Sequence, residues 1–242
     1  MRKERADILV QLQAAVSRSK AQGLIHAGQV WLGGERIDKP GLHIPEDSVL
    51  EIREQPRFVS RGGEKLEAAF EAFALDVQDR AAIDVGASTG GFTDCLLQHG
   101  ARLVFAVDVG YGQLAWKLRQ DPRVIVLERT NIRHLAQDRL TEPPTFFTID
   151  CSFISLRLVL PPLARLLDPR AAGVALIKPQ FEAGREQVGK GGVVYDPAIH
   201  ATVIERVREA ADELGFARID VIPSPLLGPA GNQEFLAYLR KE

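Results

Sequence analysis

Cysteine is scarce: Cys95 and Cys151 are the only two in 242 residues. They have neither the paired spacing of a zinc site nor the density of a secreted disulfide scaffold, so reduced thiols in a cytoplasmic protein are expected. No run approaches the roughly 20 apolar residues of a membrane span. Met1-Arg2-Lys3-Glu4-Arg5 is positively charged but has no continuous apolar stretch behind it, so neither a signal peptide nor a membrane partner is expected. A strong excess of one charge is missing too: 30 Lys/Arg face 32 Asp/Glu. This excludes a protein that coats nucleic acid indiscriminately and makes any such contact local. Residues 1–60 hold nine Lys/Arg against eight Asp/Glu, leaving 21 against 24 for the rest, an asymmetry too small to assign a partner. The five histidines, His26, His43, His99, His134 and His200, share no ligand spacing, so no metal is expected.

What is present is apolar residue enough, at 45% of the chain, for one medium core and a small satellite domain. Between residues 5 and 28, Ile8, Leu9, Leu12, Val16, Leu24 and Ile25 recur at helical spacing around a polar break, Ser17-Arg18-Ser19-Lys20. Two short helices are expected, the second capped by Ser17 or Ser19. Val30-Trp31-Leu32, Gly33-Gly34 and Arg36-Ile37 read as a tight hairpin, and Ser48 to Ile52 as another strand. The expected division is a module over 1–56, a linker over 57–63 and a larger domain over 64–242. That larger domain has strands alternating with helices, the pattern of an α/β parallel sheet covered on both faces. Its expected strands are Ala82–Val85, Leu103–Val107, Val124–Leu127, Thr145–Ile149, Val174–Ile177, Ala217–Val221 and Phe235–Leu239. A Gly-rich stretch, 180–196, has little apolar periodicity and reads as a long loop, either a functional lid or a disordered segment. Trp31 and Trp116 read as packing residues.

Asp84-Val85-Gly86-Ala87-Ser88-Thr89-Gly90-Gly91-Phe92 leaves a strand, turns through small residues and enters a helix. In open α/β sheets ligands bind beyond the carboxyl ends of strands, and glycines let backbone N–H groups come close. About 20 residues on, Asp108 ends the next strand, where a carboxylate accepts hydrogen bonds from ribose hydroxyls. A nicotinamide dinucleotide is the rival ligand, but its fingerprint is G-x-G-x-x-G, whereas an acid leads into this turn. Asp84 would repel phosphates and suit a cationic sulfonium, which favours S-adenosylmethionine. Asn131 is a candidate for an adenine edge or simply a local cap. Lys65, Asp150, Lys178 and Glu234 abut apolar strands or their approaches, positions where a charge is costly unless paired or wet. A structural ion-pair network is the alternative reading of these four.

Several segments in order resemble one family: Ser17 to Ala21, Leu24-Ile25, Gly28 to Val30 and Lys39-Pro40, then Val59 to Gly63, Asp84 to Thr93, Asp150 to Ser155, Lys178 to Glu182 and Gly231 to Phe235. These resemble the TlyA-type RNA methyltransferases, which join an S4-type RNA-binding module to a catalytic domain related to the FtsJ/RrmJ ribose 2′-O-methyltransferases. The resemblance implies a Rossmann-like seven-stranded sheet with its last strand antiparallel. It also implies S-adenosylmethionine as cofactor and a Lys65-Asp150-Lys178-Glu234 tetrad that methylates cytidine 2′-hydroxyls of ribosomal RNA, in the large subunit or in both. A free lysine titrates near 10.4, so Lys178 acts as base only if burial and Lys65 lower that value against the pull of Asp150 and Glu234. Cofactor contacts are expected from Asp84, Gly86, Ala87, Ser88, Thr89, Gly90, Gly91, Phe92, Asp108, Asn131 and Asp150. RNA contacts are expected from Arg5, Arg18, Lys20, Arg36, Lys39, Arg61, Arg185 and Lys190, with the Gly-rich loop ordering on RNA. Asp7, Glu35 and Asp38 dilute the N-terminal patch. Tyr195 stands where the family has a basic residue, and Ala6 where it has leucine. A non-catalytic RNA-binding protein and a membrane-active haemolysin are the competing functions, and nothing in the sequence fixes the oligomeric state.

Overall fold

The computed structural model describes residues 2–53 and 56–241. Its contacts divide the chain into two units, 1–57 and 58–242. Among the described residues no helix is long and apolar enough to cross a membrane.

The first unit runs β1 (Lys3–Arg5), α1 (Ala6–Ala14), α2 (Arg18–His26), β2 (Val30–Leu32), β3 (Glu35–Arg36), β4 (His43–Pro45) and β5 (Glu51–Ile52). Ser17 caps α2, its side chain accepting the Lys20 N–H at 3.3 Å. The hairpin β2–β3 extends to β5 as a three-stranded sheet, and β1 pairs antiparallel with β4. The β1–β4 ladder is absent from the sequence reading. Lys3-Glu4-Arg5 has no apolar alternation, so only backbone pairing reveals it. Ala6, Leu9, Val10, Ala21, Ile25, Val30, Ile37, Ile44 and Leu50 form one buried cluster.

One carboxylate ties this unit's helices together. Asp7 is fully buried and accepts from Arg5 Nε (2.9 Å), Arg18 Nε (3.1 Å) and Gln22 Nε2 (2.8 Å). The Arg5 guanidinium holds its carboxyl far below the usual carboxylate range against the opposing pull of burial, with Gln22 and Arg18 assisting. Arg36 is paired in turn with Asp38 at 2.6 Å. Three of the five basic residues expected to face RNA in this unit therefore carry an acidic partner, while Lys20 and Lys39 are exposed.

The second unit runs α3 (Gly62–Phe73), β6 (Ala81–Val85), α4 (Gly91–Gln98), β7 (Leu103–Val107), α5 (Trp116–Arg119), β8 (Val124–Leu127), β9 (Phe146–Ile149), α6 (Leu156–Ala164), β10 (Ala172–Ile177), α7 (Pro179–Glu182), α8 (Pro197–Asp212), β11 (Phe216–Pro223) and β12 (Phe235–Lys241). The sheet order is β11-β12-β10-β9-β6-β7-β8, parallel except for β12, which runs antiparallel to both neighbours. All seven strands coincide with the expected ones to within two residues at either end. The segment 57–63, read as a linker, contributes buried Phe58 and the start of α3. Trp116, read as a packing residue, is 71% exposed.

Strand alternation splits the core into two layers. Ile83, Val85, Phe105, Val107, Phe147, Ile149, Ala175 and Ile177 face one layer with α6 and α8. Ala82, Val104, Ala106, Phe146, Val174, Leu176 and Leu236 face the other, with Leu66 and Phe70 of α3 and Phe92 and Leu96 of α4.

Replacing Asp7 with alanine should destabilise the first unit by about 2–3 kcal/mol, the range for hydrogen bonds to charged groups, read as faster amide exchange in α1 and α2. Because the Asp7 carboxyl titrates below its unfolded value, its contribution is present at neutral pH and lost as pH falls below about 4. The wild type should show that loss and Asp7→Ala should not.

Candidate active site

The strand order places the switch point between β6 and β9, because the chain moves outward from β6 through β7 to β8 and then returns to the other side of β6. Such a point opens a crevice at the carboxyl ends of the strands. Gly86 sits there with φ +87°. A Cβ on it would lie 2.5 Å from the Asp150 carbonyl oxygen, so only glycine lets the β6 turn pass the end of β9. At Gly91 a Cβ would press on Ser60 Oγ and lie 2.9 Å from the Gly63 amide, so this glycine brings the starts of α3 and α4 together.

Two cavities meet at Gly86, Ser88, Asp150 and Ser152. The first, about 270 Å³, is lined by Arg61, Lys65, Gly86, Ala87, Ser88, Thr89, Gly91, Phe92, Asp150 and Lys178, together with Leu226, Leu227 and Pro229. The second, about 410 Å³, is lined by Asp108, Val109, Gln113, Thr130, Asn131 and Ile132 on one side and Cys151, Phe153 and Ile154 on the other. Asp108 receives the Ser88 N–H at 2.8 Å and the Gly110 N–H at 2.6 Å, which fixes its carboxylate at the rim. Asn131 lines the same cavity while its Oδ1 caps the turn Ile132–His134 by accepting the Arg133 N–H at 3.0 Å.

The four charged candidates form two ion pairs. Lys65 Nζ donates to Glu234 Oε2 at 2.6 Å, with Glu234 1% exposed behind it. Lys178 Nζ lies 2.6 Å from Asp150 Oδ1 and donates to Ser152 Oγ at 2.9 Å. Strand alternation explains the convergence: Lys178 continues the Val174-Leu176 face, Asp150 the Phe146-Thr148 face, and Glu234 precedes Leu236 by one repeat. All three therefore fall on the layer of α3, which carries Lys65. Two buried oxygens, Asp150 Oδ1 and Glu234 Oε1, have no aligned hydrogen-bond donor among the described residues.

Asp84 does not fulfil its expected part. The same alternation puts it one repeat beyond Ala82, inside the α3–α4 layer, where it is fully buried and lines neither cavity. Thr93 Oγ1 donates to it at 2.7 Å and Thr148 Oγ1 at 2.9 Å. Burial pushes its carboxyl up to about 6 against the pull of those two hydroxyls. The carboxylates that line the cavities are Asp150 and Asp108. Gly90 also lines neither cavity and instead gives α4 its left-handed N-cap residue. Burial drives the Cys151 thiol up to about 12, which removes it as a nucleophile.

The Gly-rich segment is tied to the turn before β12 by side-chain hydrogen bonds. Asn232 accepts the Val194 N–H and donates to the Gly192 carbonyl, both at 2.9 Å, and Val193 and Val194 are buried. Arg185 and Lys190 on this segment are exposed, as is Tyr195. The histidines were read as sharing no ligand spacing, yet His99 contacts Glu67 at 2.7 Å, and Cys95, four residues earlier on α4, adjoins them away from both cavities. Sequence reasoning also missed Ser152, Gln113, Thr130 and the Leu226–Pro229 rim. Ser152 lay inside the Asp150 to Ser155 motif, whereas the rim residues follow no period.

This sheet, with its single reversed strand and a crevice beyond β6, is that of the Rossmann-like S-adenosylmethionine-dependent methyltransferases. FtsJ-like methyltransferase matches residues 58–241 and S4 domain matches residues 5–50. The YqxC protein of Bacillus subtilis is 52% identical over 98% of this chain and 86% of its own length. The 16S/23S rRNA (cytidine-2′-O)-methyltransferase TlyA of Mycobacterium tuberculosis is 47% identical over 100% of this chain and 91% of its own. A Streptococcus thermophilus structure carrying a hemolysin name superposes with a TM-score of 0.76 at 50% identity, covering 100% of this chain and 89% of that one. The chain belongs to the FtsJ-like methyltransferase family, in the TlyA group that carries an S4 domain ahead of the catalytic unit.

The Asp84 carboxyl titrates above its unfolded value, so the folded state binds this proton more tightly than the unfolded chain. Its stabilising share is complete below an unfolded value of 3.8 and is lost as pH rises through about 6. The melting temperature of the wild type should carry a downward contribution between pH 4 and 7 that Asp84→Asn lacks, of order 3 kcal/mol at full size. Parallel curves for the two proteins would rule this out.

Proposed function

We propose that this protein transfers a methyl group from S-adenosylmethionine to a cytidine ribose 2′-hydroxyl of ribosomal RNA. The observation that supports this reading best is the meeting of the Lys178–Asp150 and Lys65–Glu234 pairs at a cavity that continues, past Gly86, into one with a ribose-accepting carboxylate. The relative from Mycobacterium tuberculosis is named for this reaction on 16S and 23S rRNA, and the S4 match supplies a unit suited to RNA.

The residues present fit the cofactor. The cavity beside Gly86, lined by Ser88, Thr89 and Asp150, joins one lined by Asp108 and Asn131, so carboxylates stand where an amino group and ribose hydroxyls would be met. Asp108 would hold the ribose hydroxyls, Asn131 and Ile132 would border the base, and Asp150 would take the amino group and offset positive charge on sulfur. When bound, S-adenosylmethionine supplies an electrophilic methyl carbon. Lys178 Nζ, once neutral, would take the 2′-hydroxyl proton as the ribose oxygen bonds to the methyl carbon and the sulfur–methyl bond breaks, and Asp150 would stabilise the ammonium so restored. Lys65, fixed by Glu234, orients the attacking ribose from the opposite side. Arg61 at the rim, with Arg185 and Lys190, meets phosphates and adds salt-dependent affinity with little sequence preference. In the S4 unit Lys20 and Lys39 do the same, joined by Arg5, Arg18 and Arg36 from their ion pairs.

The test is methyl transfer from labelled cofactor to ribosomal RNA taken from cells lacking this protein, with the 2′-O-methylated nucleotides mapped. Transfer at cytidine is expected, and none to any RNA would reject the reading in favour of a binding protein without catalysis. Lys178→Ala should lower turnover about 100- to 10,000-fold, the span of general-base effects, while cofactor affinity stays within about threefold because Lys178 is assigned to the RNA oxygen. Unchanged turnover would remove Lys178 from the mechanism. Asp108→Ala should instead weaken cofactor binding about tenfold or more, the loss of one or two charge-assisted hydrogen bonds, as calorimetry would record.

A further inference from the structure

Glu182 is a buried carboxylate that this mechanism leaves unused, and it bridges the two chain segments that carry the Lys178–Asp150 pair. It closes α7, one turn beyond Lys178, yet its side chain serves a different element. Oε2 accepts from Ser155 Oγ and Oε1 from the Leu156 N–H, both at 2.6 Å. Ser155 is the N-cap of α6, its own Oγ accepting the Arg157 N–H at 3.2 Å. Glu182 thus satisfies a donor at the start of α6 that has no partner within its own helix.

These contacts close a ring. From Asp150 the chain passes through Ser152, which accepts from Lys178, to Ser155, which is bound by Glu182; α7 then leads back to Lys178 and its ion pair with Asp150. Four residues of helix are too few to hold their own direction. Within the turn, the Phe181 N–H reaches the Lys178 carbonyl and the Ala183 N–H reaches that of Pro179, both at 2.9 Å. The polar anchor of α7 against the β9–α6 loop is therefore the Glu182 side chain, beside the packing of Phe181 on Phe153 with ring centroids 5.0 Å apart. Burial opposes its ionised form, and the Ser155 hydroxyl, the Leu156 amide and the charge of Arg157 work the other way.

We propose that Glu182 is a positioning residue: by tying α7 to the start of α6 it sets the approach of Lys178 Nζ to Asp150 and Ser152. The proposal rests on the reading of Lys178 as the group that takes the ribose proton. Glutamine can keep both contacts, Oε1 accepting from Leu156 and Nε2 donating to Ser155 Oγ, whereas alanine keeps neither.

The experiment compares full-length wild type, Glu182→Gln and Glu182→Ala by amide hydrogen exchange over 150–158 and 177–183, and by methyl-transfer kinetics on ribosomal RNA. In Glu182→Ala, exchange should quicken about tenfold in both segments, as the loss of a hydrogen bond of this kind predicts. Turnover should fall about 10- to 100-fold, the scale of a misplacement near 1 Å, with the KM for RNA and the Kd for cofactor within about twofold. Glu182→Gln should stay within about threefold of wild type in every measure. Three results would overturn the proposal: unchanged exchange in Glu182→Ala, full turnover despite faster exchange, or a glutamine variant as impaired as the alanine one. A wild type that moves no methyl group would instead reject the methylation reading, while the exchange data would still decide whether Glu182 forms the tether.

Discussion

The close passage of Gly86 under the carbonyl of Asp150 is the constraint on which the catalytic unit turns. With no side chain between them, the ends of β6 and β9 can approach, and one crevice receives Asp108 from β7 on one flank and Lys178 from β10 on the other. Any Cβ at this position would push the β6 turn away from β9 and part the two cavities. The positive φ at Gly86 points the same way, so steric and conformational demands coincide in one residue.

Charge follows from that geometry. Four ionisable side chains are brought to the edge of an apolar layer, and each is paired within 2.6 Å. Lone charges in such a place are costly, whereas opposite charges in contact are tolerable. Asp84 shows the opposite solution. It lies inside the same layer, is held by two threonine hydroxyls, and retains its proton far more readily than an exposed aspartate. The N-terminal unit uses a third arrangement, in which the arginines around Asp7 favour its charged form outright.

The strands and their order of use were legible because alternating and continuous apolar runs are properties of a few adjacent residues. Lys65, Asp150, Lys178 and Glu234 were legible as a group because each abuts such a run, and because their motifs resemble those of a known family. What escaped was whatever depends on the face a residue occupies or on a partner remote in sequence. Asp84 was placed at the cofactor by its position in a motif, but strand parity sends its side chain into the packed layer. The pairing of β1 with β4 has no apolar signature, and the anchoring of the Gly-rich segment by Asn232 spans 38 residues. Glu182 stood in a quoted motif without a role, since its partners belong to the preceding helix.

The sequence by itself determined the alternation of strand and helix, the turn after the first strand of the sheet, and the set of charged residues that strand ends would have to accommodate. Each of these follows from local periodicity and residue chemistry. Only the folded chain decided which carboxylates line the cavities, which lysine pairs with which acid, and which side chains fix the helix beside Lys178. Those outcomes depend on distances between residues far apart along the chain, and such distances are set by how the layers pack.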